Sequence, residues 1–111
     1  MRSVAFATIA GGLLLASMGA ALAASKPGWC TSQHSFNAAE RTICATPSLW
    51  DLDHQLNVAY EAALRRKQGA QRSQLQDGQR HWLSATRNGC GANVGCLTQA
   101  YSDWIVTLGD L

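Results

Sequence analysis

The middle of the chain carries the clearest pattern of apolar and polar positions. Its apolar residues follow one another at spacings of three, four, three and four: Leu49, Leu52, Leu56, Ala59 and Ala63. This period lines one face of an α-helix of about five turns. Thr46 can cap the first turn of this helix, and the fixed backbone angle of Pro47 suits that turn. The cations before Gly69 suit its C-terminal end, where the helix dipole is negative. The pattern predicts a helix that begins at about Pro47 and frays at Arg65, Arg66 and Lys67.

Helical signals also stand on either side of this segment. Asn37 and Glu40 have the spacing of a capping box, which predicts a short helix that ends near Cys44. A further helix is expected from about Ala70 to Asn88, with Gly89 as its stop. Its apolar positions are Leu75, Trp82 and Leu83.

The last segment predicts a fourth helix, which starts at about Asn93. Its apolar face is formed by Val94, Leu97, Tyr101, Trp104, Ile105 and Leu108. No stretch of the chain shows the alternating pattern of a β-strand. The fold class predicted from the sequence is therefore all-α, a small bundle of one short and three longer helices in antiparallel sequence.

The N-terminal residues have a different composition. Arg2 is followed by an apolar run without charge up to Lys26, and Ala21 and Ala23 form a small-residue cleavage signature. We expect residues 1–23 to be a secretory signal peptide and residues 24–111 to be a single helical domain. An uncleaved membrane anchor is the alternative, because the run is nearly long enough to span a bilayer. Cleavage predicts a periplasmic or secreted protein with no stable membrane insertion.

Charge and length narrow the function classes. Without the signal peptide, eight basic and seven acidic residues remain, a net charge of about +1. So small a charge argues against capture of nucleic acid. A domain of this length buries a limited core and usually needs cross-links.

All four cysteines lie beyond the predicted cleavage point, and an even number in a short exported chain indicates disulfide bonds. Four cysteines allow three pairings. The short separations favour Cys30 with Cys44 and Cys90 with Cys96, the latter across a glycine-rich turn. The spacing is unlike the close pairs of a zinc site or of a thioredoxin-like redox centre.

The sequence contains no recognisable catalytic constellation. His34, His54 and His81 fall in three different elements, and Asp51 and Asp53 project from different sides of one helix. No nucleophile, phosphate-binding or metalloprotease motif occurs. We expect no enzyme activity, no metal and no cofactor.

Two sets of residues form a family pattern that extends from about Cys30 to Leu108. The first half contains Ile43, Cys44, Pro47, Leu49, Leu52, Asp53, Leu56, Tyr60, Ala63 and Leu64. The second half contains Gln79, Arg80, Trp82, Leu83, Arg87, Cys90, Cys96, Leu97, Tyr101, Ile105 and Leu108. In these positions the chain resembles the N-terminal domain of the LprI-like family of bacterial envelope proteins. Trp104 stands where the family usually has an arginine. The family name implies inhibition of lysozyme.

Two groups of residues are candidates for structural or binding roles. Asp53 borders the apolar face of its helix, which suits an ion pair with Arg80 or Arg87, or a role in partner binding. Core aromatic residues are expected where the helices meet: Tyr60, Trp82 and Tyr101.

The second group is the basic run Arg65, Arg66 and Lys67, which is either a solvated helix end or a contact surface for a partner. An arginine of this run could pair with a catalytic carboxylate of a muramidase. Two partner hypotheses follow, a lysozyme-type muramidase and another envelope protein. A typical lysozyme is strongly cationic. A chain that is nearly neutral would attract it only weakly at long range.

Overall fold

A computed structural model describes residues 24–111 of the chain. Its helices follow from local signals in the sequence. After a short 3₁₀ turn at Gly28–Thr31, four α-helices follow. They are α1 at Ala38–Ala45, α2 at Pro47–Arg65, α3 at Gly69–His81 and α4 at Val94–Gly109. The predicted all-α class is confirmed, and the predicted signal peptide at 1–23 lies outside the described residues.

The start of α1 is the predicted capping box. The Asn37 side chain accepts a hydrogen bond from the Glu40 backbone N–H at 2.8 Å, and Glu40 Oε1 accepts one from the Asn37 backbone N–H at 2.9 Å. Two N–H groups that the helix leaves free are thereby satisfied.

Helix α2 begins at Pro47 as predicted, but Thr46 does not cap it. The Thr46 hydroxyl donates instead to the Thr42 carbonyl at 2.6 Å, one turn back in α1. The helix ends at Arg65, the first residue of the basic run where it was predicted to fray. Gly69 then takes a φ of +56°, a backbone conformation that favours glycine.

The segment after α3 differs most from the prediction. The α-helical hydrogen bonds end at His81, and the chain continues through a π-helical turn at Trp82–Arg87 and a 3₁₀ turn at Asn88–Cys90. Residues five apart point about 140° apart on an α-helix, whereas a π turn brings them near one face. Trp82 and Arg87 are accordingly both buried.

Gly89 was the predicted stop of this helix, and that prediction is wrong. Gly89 lies inside the 3₁₀ turn, and the chain leaves the helical path at Gly91, whose φ is +57°. Asn93 is the N-cap of helix α4, and its side chain accepts a hydrogen bond from the Cys96 backbone N–H at 2.9 Å. Val94, predicted on the apolar face, is 40% exposed because it occupies the first turn.

The three longer helices alternate in direction. Tyr101 of α4 contacts Asp53 near the start of α2, and Leu108 contacts Arg66 just beyond the end of α2, so these two helices run parallel. Helix α3 returns in the opposite direction. The core lies between them and α1: Ala39, Ile43, Leu49, Leu56, Ala63, Leu64, Leu75, Trp82, Leu97, Ala100, Tyr101 and Leu108. Within residues 24–111, no helix has the length and apolar character needed to cross a membrane.

Candidate functional site: a cleft beside a buried aspartate

The carboxylate of Asp53 connects three distant parts of the chain. The Tyr101 hydroxyl donates to Asp53 Oδ1 at 2.8 Å, and the Trp29 indole N–H donates to Oδ2 at 3.3 Å. Asp53 is 6% exposed and Tyr101 is fully buried. Since a buried carboxylate must be hydrogen-bonded to be tolerated, this contact fixes both α4 and the segment before α1 to α2.

Tyr101 is held in its neutral, donating form. Burial and, after it, the adjoining carboxylate of Asp53 raise the pKa of Tyr101 well above the ordinary value of a phenol. The hydroxyl therefore remains a hydrogen-bond donor to Asp53 throughout the physiological range of pH.

The predicted ion pair of Asp53 with Arg80 or Arg87 is wrong. Arg80 pairs with Asp77 on the exposed side of α3, and Arg87 Nη2 lies 3.4 Å from Glu40 Oε2. None of the cationic side chains of residues 24–111 forms an ion pair with Asp53. Asp53 instead accepts hydrogen bonds from two neutral donors, Trp29 and Tyr101, which lie far from it along the chain.

Arg87 is the centre of a second buried contact. It is 7% exposed, its guanidinium carbon lies 5.4 Å from the centre of the Trp29 ring, and its Nε donates to Asn88 Oδ1 at 3.0 Å. Its partner Glu40 also completes the capping box of α1. An ion pair and a cation–π contact thus join α1, the π turn and Trp29.

An open cleft of about 280 Å³ lies over these contacts. Its lining combines two indoles, two leucines, two amides, a histidine, two carboxylates and one guanidinium: Trp29, Trp82, Leu56, Leu83, Asn57, Gln79, His34, Glu40, Asp53 and Arg87. Apolar walls with a few polar groups are typical of a binding site. The cleft has room for a side chain of a partner.

Two disulfide bonds support the cleft from one end. Cys30 is bonded to Cys44 and Cys90 to Cys96, with Cα–Cα distances of 5.7 and 5.5 Å. The predicted pairing is confirmed. The first bond ties the segment that carries Trp29 to α1, and the second ties the turn after Arg87 to α4.

The predicted core aromatic residues lie at different depths. Trp82 is 5% exposed, packs edge-on against Tyr101 at 5.1 Å and stacks on Trp104 at 6.2 Å. The Trp104 indole N–H donates to Gln79 Oε1 at 2.6 Å. Tyr60 is only partly buried, at the edge of the core.

The basic run lies at the other end of the bundle, away from the cleft. Arg66 donates to the backbone oxygens of Leu108 and Leu111, both at 3.1 Å, so its guanidinium caps the end of α4. Arg65 is exposed and Lys67 is partly buried. The partner-binding role of this run stays a prediction, for which Arg65 and Lys67 are better placed than Arg66.

The three histidines are exposed and lie in separate elements. Asp51 is also exposed, and it accepts a hydrogen bond from the Ala24 backbone N–H at 2.9 Å. In the described part of the chain, no three histidine, cysteine, aspartate or glutamate side chains cluster as metal ligands would.

The described residues thus define a class of protein: a small all-α domain with two disulfide bonds and a mixed aromatic and charged cleft. The family model described as lysozyme inhibitor LprI matches residues 30–108, and the chain belongs to this family. No curated protein and no solved structure shows significant similarity to the chain.

Sequence reasoning did not recognise the roles of Trp29 and Glu40 in the cleft. Trp29 was not assigned a role, although it directly precedes a cysteine whose bond fixes its position. Glu40 was recognised only as part of a capping box, and its ion pair with Arg87 joins residues 47 positions apart. Such a contact leaves no local pattern in the sequence.

Proposed function

We propose that the protein is a non-enzymatic binding protein of the bacterial envelope that inhibits a lysozyme-type muramidase. The observation that carries this proposal is the match of the lysozyme inhibitor family to residues 30–108. Both disulfide bonds and the predicted core positions Trp82 and Tyr101 fall within the matched range, which supports the use of the whole domain as the binding unit.

The protein acts outside the cytoplasm in this proposal. Residues 1–23 direct export and are removed, and the domain works in the periplasm or after secretion. The apolar N-terminal run with its small-residue cleavage signature supports export. The two disulfide bonds support it as well, because such bonds persist in oxidising compartments.

Inhibition is stoichiometric in this proposal. A muramidase depends on two carboxylates that flank the scissile bond, so a protein bound over its cleft stops the reaction by excluding the substrate. A domain held by two disulfide bonds loses little conformational entropy on binding, which favours affinity. The basic run provides Arg65 and Lys67 as candidate contacts for such carboxylates.

A second candidate function is binding to an envelope protein other than lysozyme. The small net charge of the domain favours it, since a nearly neutral surface gives a cationic muramidase little long-range attraction.

The test is a titration of several muramidases with the purified, oxidised protein, with lysis of a cell-wall suspension as the readout. We expect activity to fall in proportion to added protein and to level off near one equivalent. Inhibition by the Arg65→Ala variant is compared with inhibition by Val94→Ala. Val94 is another exposed residue, and it lies away from the basic run. Full activity at a large molar excess, with every muramidase, would exclude inhibition and favour the second candidate.

A further inference from the structure

The cleft over Asp53 has an unbalanced charge. It is lined by two carboxylates, Asp53 and Glu40, by the guanidinium of Arg87 and by the imidazole of His34, whose Nε2 lies 3.9 Å from Glu40 Oε2. Arg87 pairs with Glu40 at 3.4 Å, whereas Asp53 has only the neutral donors Tyr101 and Trp29. Asp53, which is 6% exposed, therefore has no cationic side chain within ion-pair distance.

The walls of the cleft suit the apolar part of a long cationic side chain. Trp29 and Trp82 provide indole surfaces, and Leu56 and Leu83 provide aliphatic ones. Arginine and lysine have an apolar stem below a charged head, and a cation is attracted to the face of an indole. Arg87 already makes this contact with Trp29 inside the domain.

We infer that the cleft binds an arginine or lysine side chain of a protein partner, with Asp53 as its counter-ion. A carboxylate has room for more hydrogen bonds than the two that Asp53 accepts. The Asn57 amide stands exposed at the rim and adds a polar contact. An anionic side chain would be repelled by the carboxylate of Asp53 and is disfavoured there.

This inference deepens the proposed function and takes from it only the identity of the partner. A cationic muramidase presents many arginine and lysine side chains, so a short-range acidic cleft gives it an anchoring point that the net charge of the domain does not. The cleft and the basic run lie at opposite ends of the bundle and would contact a partner in different orientations.

The first experiment uses a peptide and no muramidase. The oxidised protein is titrated with acetyl-Gly-Arg-Gly-amide, and nuclear magnetic resonance follows the indole N–H of Trp29, which donates to Asp53. We expect this signal to shift and saturate. The citrulline peptide, which has the same shape without the charge, should shift it much less. Equal shifts with both peptides, or none with arginine, would overturn the inference.

Substitutions at the rim then locate the site. Asn57→Lys adds a positive charge beside the cleft and should weaken binding of the arginine peptide by roughly threefold to tenfold, by Coulomb's law at an effective dielectric constant between those of water and a protein surface. Asn57→Asp should strengthen binding by a similar factor. Asn57 is exposed and makes no side-chain hydrogen bond, so both variants should fold.

The matched control is Gln55→Lys, which adds the same charge to an exposed position of α2 that does not line the cleft. It should leave peptide binding unchanged. If Gln55→Lys weakens binding as much as Asn57→Lys, the effect comes from overall charge and the inference fails.

The same variants are then tested in the muramidase titration. Asn57→Lys should weaken inhibition, whereas Gln55→Lys should leave it unchanged. Inhibition that survives Asn57→Lys but is lost in Arg65→Ala would overturn the inference and leave the proposed function standing. Peptide binding without inhibition of any muramidase would support the inference and refute the proposed function.

Discussion

The two ends of the bundle are stabilised in different ways. One end, here called the linked end, comprises residues 28–57 with residues 79–101, and it contains both disulfide bonds, the Asp53 contacts and the Arg87–Glu40 pair. The other, the open end, comprises residues 63–78 with residues 104–111. There, Arg66 and Arg72 donate to backbone oxygens at the ends of α4 and α2.

Helix α3 contributes little to the core at the open end. Between Gly69 and Gly78 only Leu75 is buried, and a groove of about 350 Å³ separates this helix from the end of α4. Stability should therefore be concentrated at the linked end. A rigid site needs such support, because a cleft whose walls move binds its ligand with a greater loss of entropy.

The largest expected effect comes from the core of the linked end. Trp82→Ala should lower the free energy of unfolding by about 3–5 kcal/mol, since a buried indole is lost and a cavity remains beside Tyr101. Urea denaturation measures it. Val106→Ala, at a position that is 64% exposed, should stay within about 0.5 kcal/mol of wild type. If the two variants are equally stable, Trp82 is not part of the core.

Removal of the disulfide bonds should have the next largest effect. Replacing Cys30 and Cys44 by alanine should cost about 3 kcal/mol, and replacing Cys90 and Cys96 about 2 kcal/mol, because the first bond closes the longer loop. Denaturation of the two double variants checks the order, and mass spectrometry of tryptic peptides checks the linkage. A larger loss from the second pair would show that loop length does not govern their contributions.

Tyr101→Phe removes one donor from Asp53 and should cost about 1–3 kcal/mol at neutral pH. The substitution should also change how the stability of the protein depends on pH in the alkaline range. The folded state raises the pKa of Tyr101, so its contribution to stability is complete below the unfolded pKa of about 10 and is lost as the pH rises above it. Denaturation at neutral pH and above pH 10 tests this. A wild type that loses no more stability than the variant would refute the assignment.

The smallest expected effect belongs to the open end. Arg66→Ala should cost about 1 kcal/mol or less, because its hydrogen bonds reach carbonyls near the protein surface. Hydrogen exchange should become faster in the last turn of α4 and remain unchanged around Asp53. Arg65→Ala is the control and should leave exchange at both ends unaltered. Faster exchange around Asp53 in Arg66→Ala would show that the two ends are not independent.

The prediction of helices from the sequence succeeded where the signal was local. The capping box of Asn37 and Glu40 and the proline at the start of α2 each act within one helical turn. It failed at Thr46, whose hydroxyl had a competing acceptor in α1, and at the π turn, where Trp82 and Arg87 are both buried. The acceptor of Thr46 lies only four residues back along the chain, whereas tertiary packing decided the π turn.

The candidate site shows the same division. Asp53 was recognised as a residue of interest, but its donors lie 24 and 48 positions away in the chain, and no spacing rule reports such contacts. The arginine proposed as its partner was instead recruited by Glu40. Which of several nearby donors pairs with Asp53 depends on the packing of all the helices.

The sequence by itself determined the helical class and the apolar faces, and it favoured the observed pairing of the cysteines, because these depend on residues close together along the chain. The bonded cysteines are 14 and 6 positions apart, and such short loops close readily. Only the tertiary structure decided that Trp29, Asp53 and Tyr101 meet, that Arg66 caps α4, and that Asp53 accepts hydrogen bonds from neutral donors. Those features arise from contacts between segments whose approach is set by the packed core, where burial gives each polar group few possible partners.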